Sequence, residues 1–175
     1  MVSLSTEEGG FGWKIFESIC HNRMLGHSVK YFDYKYHNGA ALVTGQDNSS
    51  LTLGGCKAIK GTTGNLITAA RQDEHVLFYS FDPQYPLIDC IYRTGNIFYA
   101  FQTTVGKTHS CIVEHLVQSV KETGGPSNFL LHYLTCSKNY GEFKFKNVAP
   151  LVQLLTKEKI TINVVCIPRP DDEQI

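Results

Sequence analysis

Two apolar segments joined by a short polar turn constrain the fold of this chain most strongly. Leu87 to Tyr92 is apolar apart from Asp89. Ile97 to Val105 alternates aromatic residues with small or polar ones, at the two-residue period of a strand. The residues between them, Arg93-Thr94-Gly95-Asn96, are typical of a turn. The pattern therefore predicts a β-hairpin.

The predicted hairpin brings polar side chains of three kinds together. Gln102 and Thr104 lie on one face of the second strand, because side chains two residues apart point the same way. Asp89 is expected opposite or diagonal to them, at cross-strand distance. A carboxylate, an amide and a hydroxyl would then converge. Taken alone, a buried aspartate at a strand end is most often a structural hydrogen-bond acceptor.

Hydrophobic periodicity predicts helices and strands on both sides of the hairpin. Residues 37–75 are rich in Gly, Ser, Thr and Asn and give no clear pattern. The order of elements predicts an α/β fold of three layers, in which helices flank a mixed sheet of about four or five core strands. We predict helices over 11–25, 111–122 and 149–155, and further strands over 29–36, 76–81, 129–135 and 160–167.

Length and charge place limits on the class of protein. The 175 residues predict a single domain over 11–170 after a flexible leader, 1–10. The formal net charge is zero, so no global positive field indicates a nucleic-acid partner, although a local basic patch is compatible with it. Neither a membrane span nor a signal peptide is recognisable, and we expect an intracellular protein without membrane contact.

Several motifs favour structural interpretations. The six cysteines form no Cys-x-x-Cys pair, which disfavours zinc and suits reduced, buried thiols. Cys111 and His115 are four apart on a predicted helix, but no third residue that would orient them is evident. The Gly-Lys-Thr at 106–108 matches only the end of the phosphate-loop motif. That motif requires a glycine at position 101, where this chain has Phe101.

Glu17 lies in the first predicted helix, beside its apolar stripe. It is one turn from Trp13 and from His21. From this border position the side chain can point into the domain or into solvent, and a solvated glutamate is the commoner case.

Three segments together resemble the PD-(D/E)xK, or restriction-endonuclease-like, superfamily. Within it they are most similar to the nuclease domains of Crinkler-type effectors and retrotransposon-hot-spot proteins. The segments lie within residues 11–122. They are Gly12 to Glu17 with His21, Tyr85-Pro86-Leu87-Ile88-Asp89, and Phe101-Gln102-Thr103-Thr104-Val105-Gly106-Lys107-Thr108-His109.

The resemblance implies a restriction-endonuclease-like core and a role for each matching residue. Asp89 corresponds to the central metal-binding aspartate, and Gln102 stands in place of the second acidic ligand. Thr104 stands in place of the lysine, and Glu17 corresponds to the first-helix glutamate. Gln102 carries no negative charge, so the implied Mg²⁺ or Mn²⁺ is expected to bind weakly.

Substrate contacts are implied for two further residues. Thr104 supplies no cation, and Lys107 is expected to provide the positive charge at the phosphate. His109 matches a histidine that recurs after this strand, and is expected to contact substrate. The implied partner is DNA rather than RNA, with the nucleus as a candidate compartment. Crinkler proteins typically carry a translocation header and an NTPase domain; neither is recognisable here, so an NTPase domain or another protein is an expected partner.

Two functional hypotheses follow. In the first, the chain is a metal-dependent DNA endonuclease that uses Glu17, Asp89, Gln102, Thr104 and Lys107. In the second, it is a catalytically degenerate nuclease fold that serves as a nucleic-acid or protein-binding module. The two substitutions and the neutral charge favour the second hypothesis, whereas the presence of Asp89 and Glu17 favours the first.

Overall fold

The computed structural model describes most of the predicted domain. The leader, residues 1–10, lies outside the described residues, as do Tyr85 and Pro86 of the aspartate motif. The described residues are 11–26, 29–37, 41–44, 49–51, 53, 59–80, 87–146 and 148–167.

Helices and strands alternate along the described residues. The helices are α1 Phe11–Gly26, α2 Leu66–Gln72, α3 Val113–Glu122, α4 Ser137–Tyr140 and α5 Val148–Glu158. The strands are β1 Val29–His37, β2 Ala41–Thr44, β3 Ser49–Leu51, β4 Ile59–Thr62, β5 Leu77–Ser80, β6 Cys90–Thr94, β7 Ile97–Thr104, β8 Thr108–His109, β9 Phe129–Cys136, β10 Lys144–Phe145 and β11 Thr161–Ile167.

The main sheet is mixed and has nine strands among the described residues. Its order is β2-β1-β11-β9-β7-β6-β5-β4, and β3 pairs with β1 beside this path. Strands β5, β6 and β7 are antiparallel neighbours, whereas β9 runs parallel to both β7 and β11. A separate parallel pair joins β8 to β10. The sheet is larger than the predicted four or five strands.

Helices cover both faces of the main sheet. On one face, helices α2, α3 and α5 pack against residues such as Phe78, Ile91, Ala100, Leu131 and Val164. On the other face, Phe16 and Cys20 of α1 pack against strand residues of the second cluster. These include Leu77, Cys90, Phe101, Leu134 and Val165. Because successive strand side chains point to opposite faces, β5, β6, β7, β9 and β11 each contribute to both clusters. The predicted three-layer arrangement of a mixed sheet flanked by helices is confirmed.

The predicted hairpin is present, but its first strand is shorter than expected. Strand β6 begins at Cys90, which is opposite Phe101. Leu87 has a φ of 73°, and this left-handed backbone interrupts the extended run before Asp89. The chain stays close to its neighbours, since the Asp89 amide donates to the Phe101 carbonyl at 2.7 Å. Asp89 therefore lies just before β6, at its edge.

Two further predictions were incomplete. Helix α2 falls within the segment that gave no clear pattern, where Asn65 caps it by accepting from the Thr68 amide at 3.1 Å. Helix α3 begins at Val113, so Cys111 precedes the helix on which it was expected to share a face with His115. Cys20, Cys90, Cys111 and Cys136 are buried, as expected, whereas Cys166 is partly exposed. Cys56 lies outside the described residues.

Candidate functional site

The Asp89 carboxylate continues the hydrogen bonding of β7 beyond the start of β6. Cys90, the first residue of β6, pairs with Phe101. Two residues further along β7, the Thr103 amide donates to Asp89 Oδ2 at 2.5 Å. A side chain thus takes the place of a further strand residue, which fixes the carboxylate at the open end of the hairpin.

Gln102 and Thr103 hold the Asp89 carboxylate. The Gln102 Nε2 donates to Oδ1 and to Oδ2 at 3.0 Å each. The Thr103 hydroxyl donates to Oδ2 at 2.6 Å. Oδ2 therefore accepts three hydrogen bonds, whereas Oδ1 accepts one.

Thr104 does not have the predicted position next to Asp89. Its hydroxyl accepts a hydrogen bond from the Gly106 amide at 3.2 Å and stabilises the turn after β7. The hydroxyl on the carboxylate belongs to Thr103, which alternation along a strand places on the other side. The difference arises because Asp89 lies at the strand edge and reaches both sides of β7.

Glu17 lies in the same region as Asp89, on the buried side of α1. Phe16 and Cys20 are in the core on either side of it, and its own side chain is only 18% exposed. Burial and, to a smaller extent, the negative charge of Asp89 together raise its pKa from 4.5 to about 7, against the opposing charge of Lys14. The Glu17 side chain, which the sequence places at the border of the apolar stripe, therefore points toward the interior of the domain.

Burial also raises the pKa of Asp89, and its neighbours oppose the shift. The hydroxyl and amide of Thr103, the charge of His109 and the Gln102 amide all favour the ionised form. The pKa of the nearby Cys20 thiol is also affected. Burial and the charges of Glu17 and Asp89 raise it well above the ordinary value. Two acidic groups therefore share a partly desolvated region.

His21 is one turn beyond Glu17 and is buried. Its Nε2 is 4.0 Å from a Glu17 carboxylate oxygen, and its ring centre is 5.8 Å from that of Tyr79. Burial lowers the His21 pKa to about 4, so the imidazole is neutral near pH 7.

The two predicted substrate-binding residues lie beyond the end of β7. Lys107 is exposed and forms an ion pair with Glu142. The His109 Nδ1 is 2.8 Å from the Ser110 carbonyl oxygen, and its ring centre is 5.3 Å from that of Tyr133. His109 is near enough to influence the Asp89 charge, whereas Lys107 is held by an acidic partner.

The site offers oxygen ligands suited to a hard cation, but few charges. No group of three or more His, Cys, Asp or Glu side chains in the described part of the chain is arranged to hold a metal. Two carboxylates and one amide are available, and Asp89 Oδ1 has capacity for a further partner. The amide nitrogen of Gln102 faces the carboxylate, so its oxygen becomes a ligand only after the amide turns.

The sequence alone identified Asp89 and Gln102 as neighbours and missed Thr103 and the burial of His21. The signal for Thr103 was its position as the middle residue of the Gln-x-Thr pattern, with a hydroxyl on a strand residue. Comparison with family models, curated proteins and solved structures returns no match for this chain. In the described residues, no helix combines the length and apolar character needed to cross a membrane.

Proposed function

We propose that this domain is a metal-dependent nuclease that acts on DNA phosphodiesters. One observation carries the proposal: the carboxylates of Glu17 and Asp89 lie close enough for the Asp89 charge to raise the Glu17 pKa, next to the Gln102 amide. Acidic groups concentrated in a partly desolvated region are typical of functional sites.

The order of elements around the site supports the proposal. Strands β5, β6 and β7 form an antiparallel meander, and α3 then leads to β9, parallel to β7. Asp89 precedes the middle strand of the meander, and Gln102 lies on the next. We propose that this arrangement is the core of a restriction-endonuclease-like nuclease.

The donor set fits Mg²⁺ or Mn²⁺. Asp89 Oδ1 and the Glu17 carboxylate would hold the ion, together with the Gln102 oxygen after its amide turns. The bound ion would polarise the phosphate and activate a water molecule. Thr103 fixes the Asp89 carboxylate through Oδ2 and leaves Oδ1 for the ion. An ion here would also relieve the repulsion between the two carboxylates.

Glu17 and Lys107 would assist the reaction in different ways. With a pKa of about 7, Glu17 exchanges protons readily near neutral pH, which suits either metal binding or general acid–base catalysis. Lys107 would stabilise negative charge on the phosphate once substrate replaces Glu142 as its partner.

A second function, a binding module that has lost catalysis, is favoured by the hydrogen bonding of Asp89. Gln102 and Thr103 donate four hydrogen bonds to its carboxylate. Lys107 is paired with Glu142. Such an arrangement would keep the fold stable and leave its surface to bind nucleic acid or protein.

Nicking of supercoiled plasmid by the purified chain tests the proposal. We expect cleavage in Mg²⁺ or Mn²⁺, none in excess chelator, and a loss of at least about 10²-fold in Asp89→Asn, which keeps an oxygen for the Thr103 bonds. Asp73→Asn, an exposed aspartate paired with Lys60, is the matched control and should cut normally. Cleavage in chelator, or full activity of Asp89→Asn, would rule out this mechanism. A wild type that binds DNA without nicking it would establish the binding module instead.

A further inference from the structure

Four exposed lysines lie on adjoining segments next to the Asp89 site. Lys107 precedes β8, Lys138 is on α4, and Lys144 and Lys146 lie in and just after β10. All four are exposed. We call Lys107, Lys138, Lys144 and Lys146 the lysine strip.

Backbone hydrogen bonds fix the segments that carry the lysine strip. The Lys144 amide donates to the Lys107 carbonyl, and the Lys146 amide donates to the His109 carbonyl, both at 2.9 Å. The Asn139 side chain donates to the Val105 carbonyl at 2.7 Å, which attaches α4 to the end of β7. The lysines therefore project from an ordered surface whose geometry is set before any ligand binds.

The strip concentrates positive charge on a neutral chain. Residues 105–110 and 137–146 contain these four lysines and a single acidic residue, Glu142. The two segments have a net charge of +3, although the formal net charge of the whole chain is zero. Such a local excess attracts a polyanion even where the overall charge does not.

The aromatic residues of these segments face the core and not the strip. Phe143 and Phe145 are buried, and their rings pack against each other with centres 5.2 Å apart. Both also contact the Tyr133 ring. Single-stranded nucleic acids bind on exposed aromatic rings that stack with bases, and protein partners bind on apolar and aromatic surface. In these two segments Val105 is 36% exposed and Tyr140 is partly buried against the core, so the strip offers charge with little apolar or aromatic surface.

We propose that the lysine strip binds the phosphate backbone of duplex DNA and directs it toward Asp89. The proposal rests on the proposed function, since it assigns the substrate-binding surface of the same site. Lysines that contact phosphates without base-reading partners give affinity that is independent of sequence and sensitive to salt. The strip is continuous with the site because β8 follows β7 within four residues.

Fluorescence anisotropy with a labelled duplex of about 20 base pairs, in chelator, measures this binding without cleavage. Four phosphate contacts predict a slope of log affinity against log salt near −3.6. Lys144→Ala/Lys146→Ala should reduce the steepness of that slope by about 1.8 and weaken binding on the order of 60-fold at 0.1 M salt.

The matched control is Lys121→Ala/Lys157→Ala, which removes the same charge. Lys121 and Lys157 are exposed near the ends of α3 and α5, which lead into the starts of β9 and β11. Asp89 lies near the opposite end of these parallel strands, so the control should leave the slope close to wild type.

An equal loss of duplex affinity in the two double variants would overturn the proposal. Tighter binding to single-stranded DNA, duplex RNA or an acidic peptide than to the DNA duplex would also overturn it. Binding that depends on Lys144 and Lys146 without any nicking in Mg²⁺ would support the strip and reject the nuclease. If the protein nicks plasmid but its DNA affinity does not depend on Lys144 and Lys146, the role of the lysine strip is rejected and the nuclease proposal stands.

Discussion

Replacement of Glu17 by glutamine should stabilise the folded protein at alkaline pH. Burial and the nearby Asp89 charge raise the Glu17 pKa from 4.5 to about 7. Between these values the folded state binds the proton more tightly than the unfolded chain does. Stability therefore falls as the pH rises from 4.5 to 7 and stays low above it. Glutamine has the same shape without the ionisation.

The size of the effect follows from the two pKa values. One pKa unit corresponds to about 1.4 kcal/mol, so ionised Glu17 costs the folded state roughly 3 kcal/mol at pH 8 and less than about 1 kcal/mol at pH 5. For a domain of this length, 3 kcal/mol corresponds to a rise of about 6–12 °C in Tm. We expect that rise for Glu17→Gln at pH 8 and a small one at pH 5.

Thermal unfolding followed by circular dichroism at both pH values measures this difference. The buried His132, whose pKa burial lowers to about 4, titrates in both proteins and cancels in the comparison. Glu114→Gln, at an exposed position, is the control for the loss of a carboxylate. If Glu17→Gln gains no more at pH 8 than at pH 5, Glu17 is not buried beside Asp89, and the paired-carboxylate site is wrong.

Three other variants test individual contacts. Gln102→Glu adds a charged ligand and should tighten Mn²⁺ about tenfold by calorimetry; unchanged affinity would exclude this side chain from the metal site. Thr103→Val removes the hydroxyl that holds Asp89, and should cost about 1–3 kcal/mol in urea unfolding; no cost would mean that the bond is not formed in solution. Lys107→Ala should slow nicking by about 10²–10³, whereas Glu142→Gln, which frees the lysine, should not; an equal effect of both would indicate a structural ion pair.

The hairpin and the helices α3 and α5 were predictable because their periodicity is local, whereas the short helix α4 was not predicted. Alternation over 97–104 and the turn at Gly95, which has a φ of 55°, define β7 and its partner without any knowledge of the rest of the chain. The sheet's size was not predictable, because its outer strands come from a segment rich in small polar residues. Strands there depend on pairing with distant partners, and not on their own pattern.

The parts of the site that depend on local sequence were predicted, and those that depend on contacts between distant segments were not. Asp89 and Gln102 were expected to be neighbours, because hairpin pairing brings sequence-local strands together. The contact with Thr103 was missed, because it depends on Asp89 lying off the strand after the left-handed backbone of Leu87. The burial of Glu17 also required the packing of α1 on the sheet, which a helical pattern does not reveal.

An anomalous difference map from a crystal soaked in Mn²⁺ tests the central claim most directly. The account predicts a peak about 2 Å from Asp89 Oδ1 and from a Glu17 oxygen, with the Gln102 amide turned so that its oxygen faces the ion. The peak should be absent in an isomorphous Asp89→Asn crystal. Well-ordered density in which the Gln102 amide nitrogen still faces the Asp89 carboxylate, with no peak at millimolar Mn²⁺, would contradict the claim.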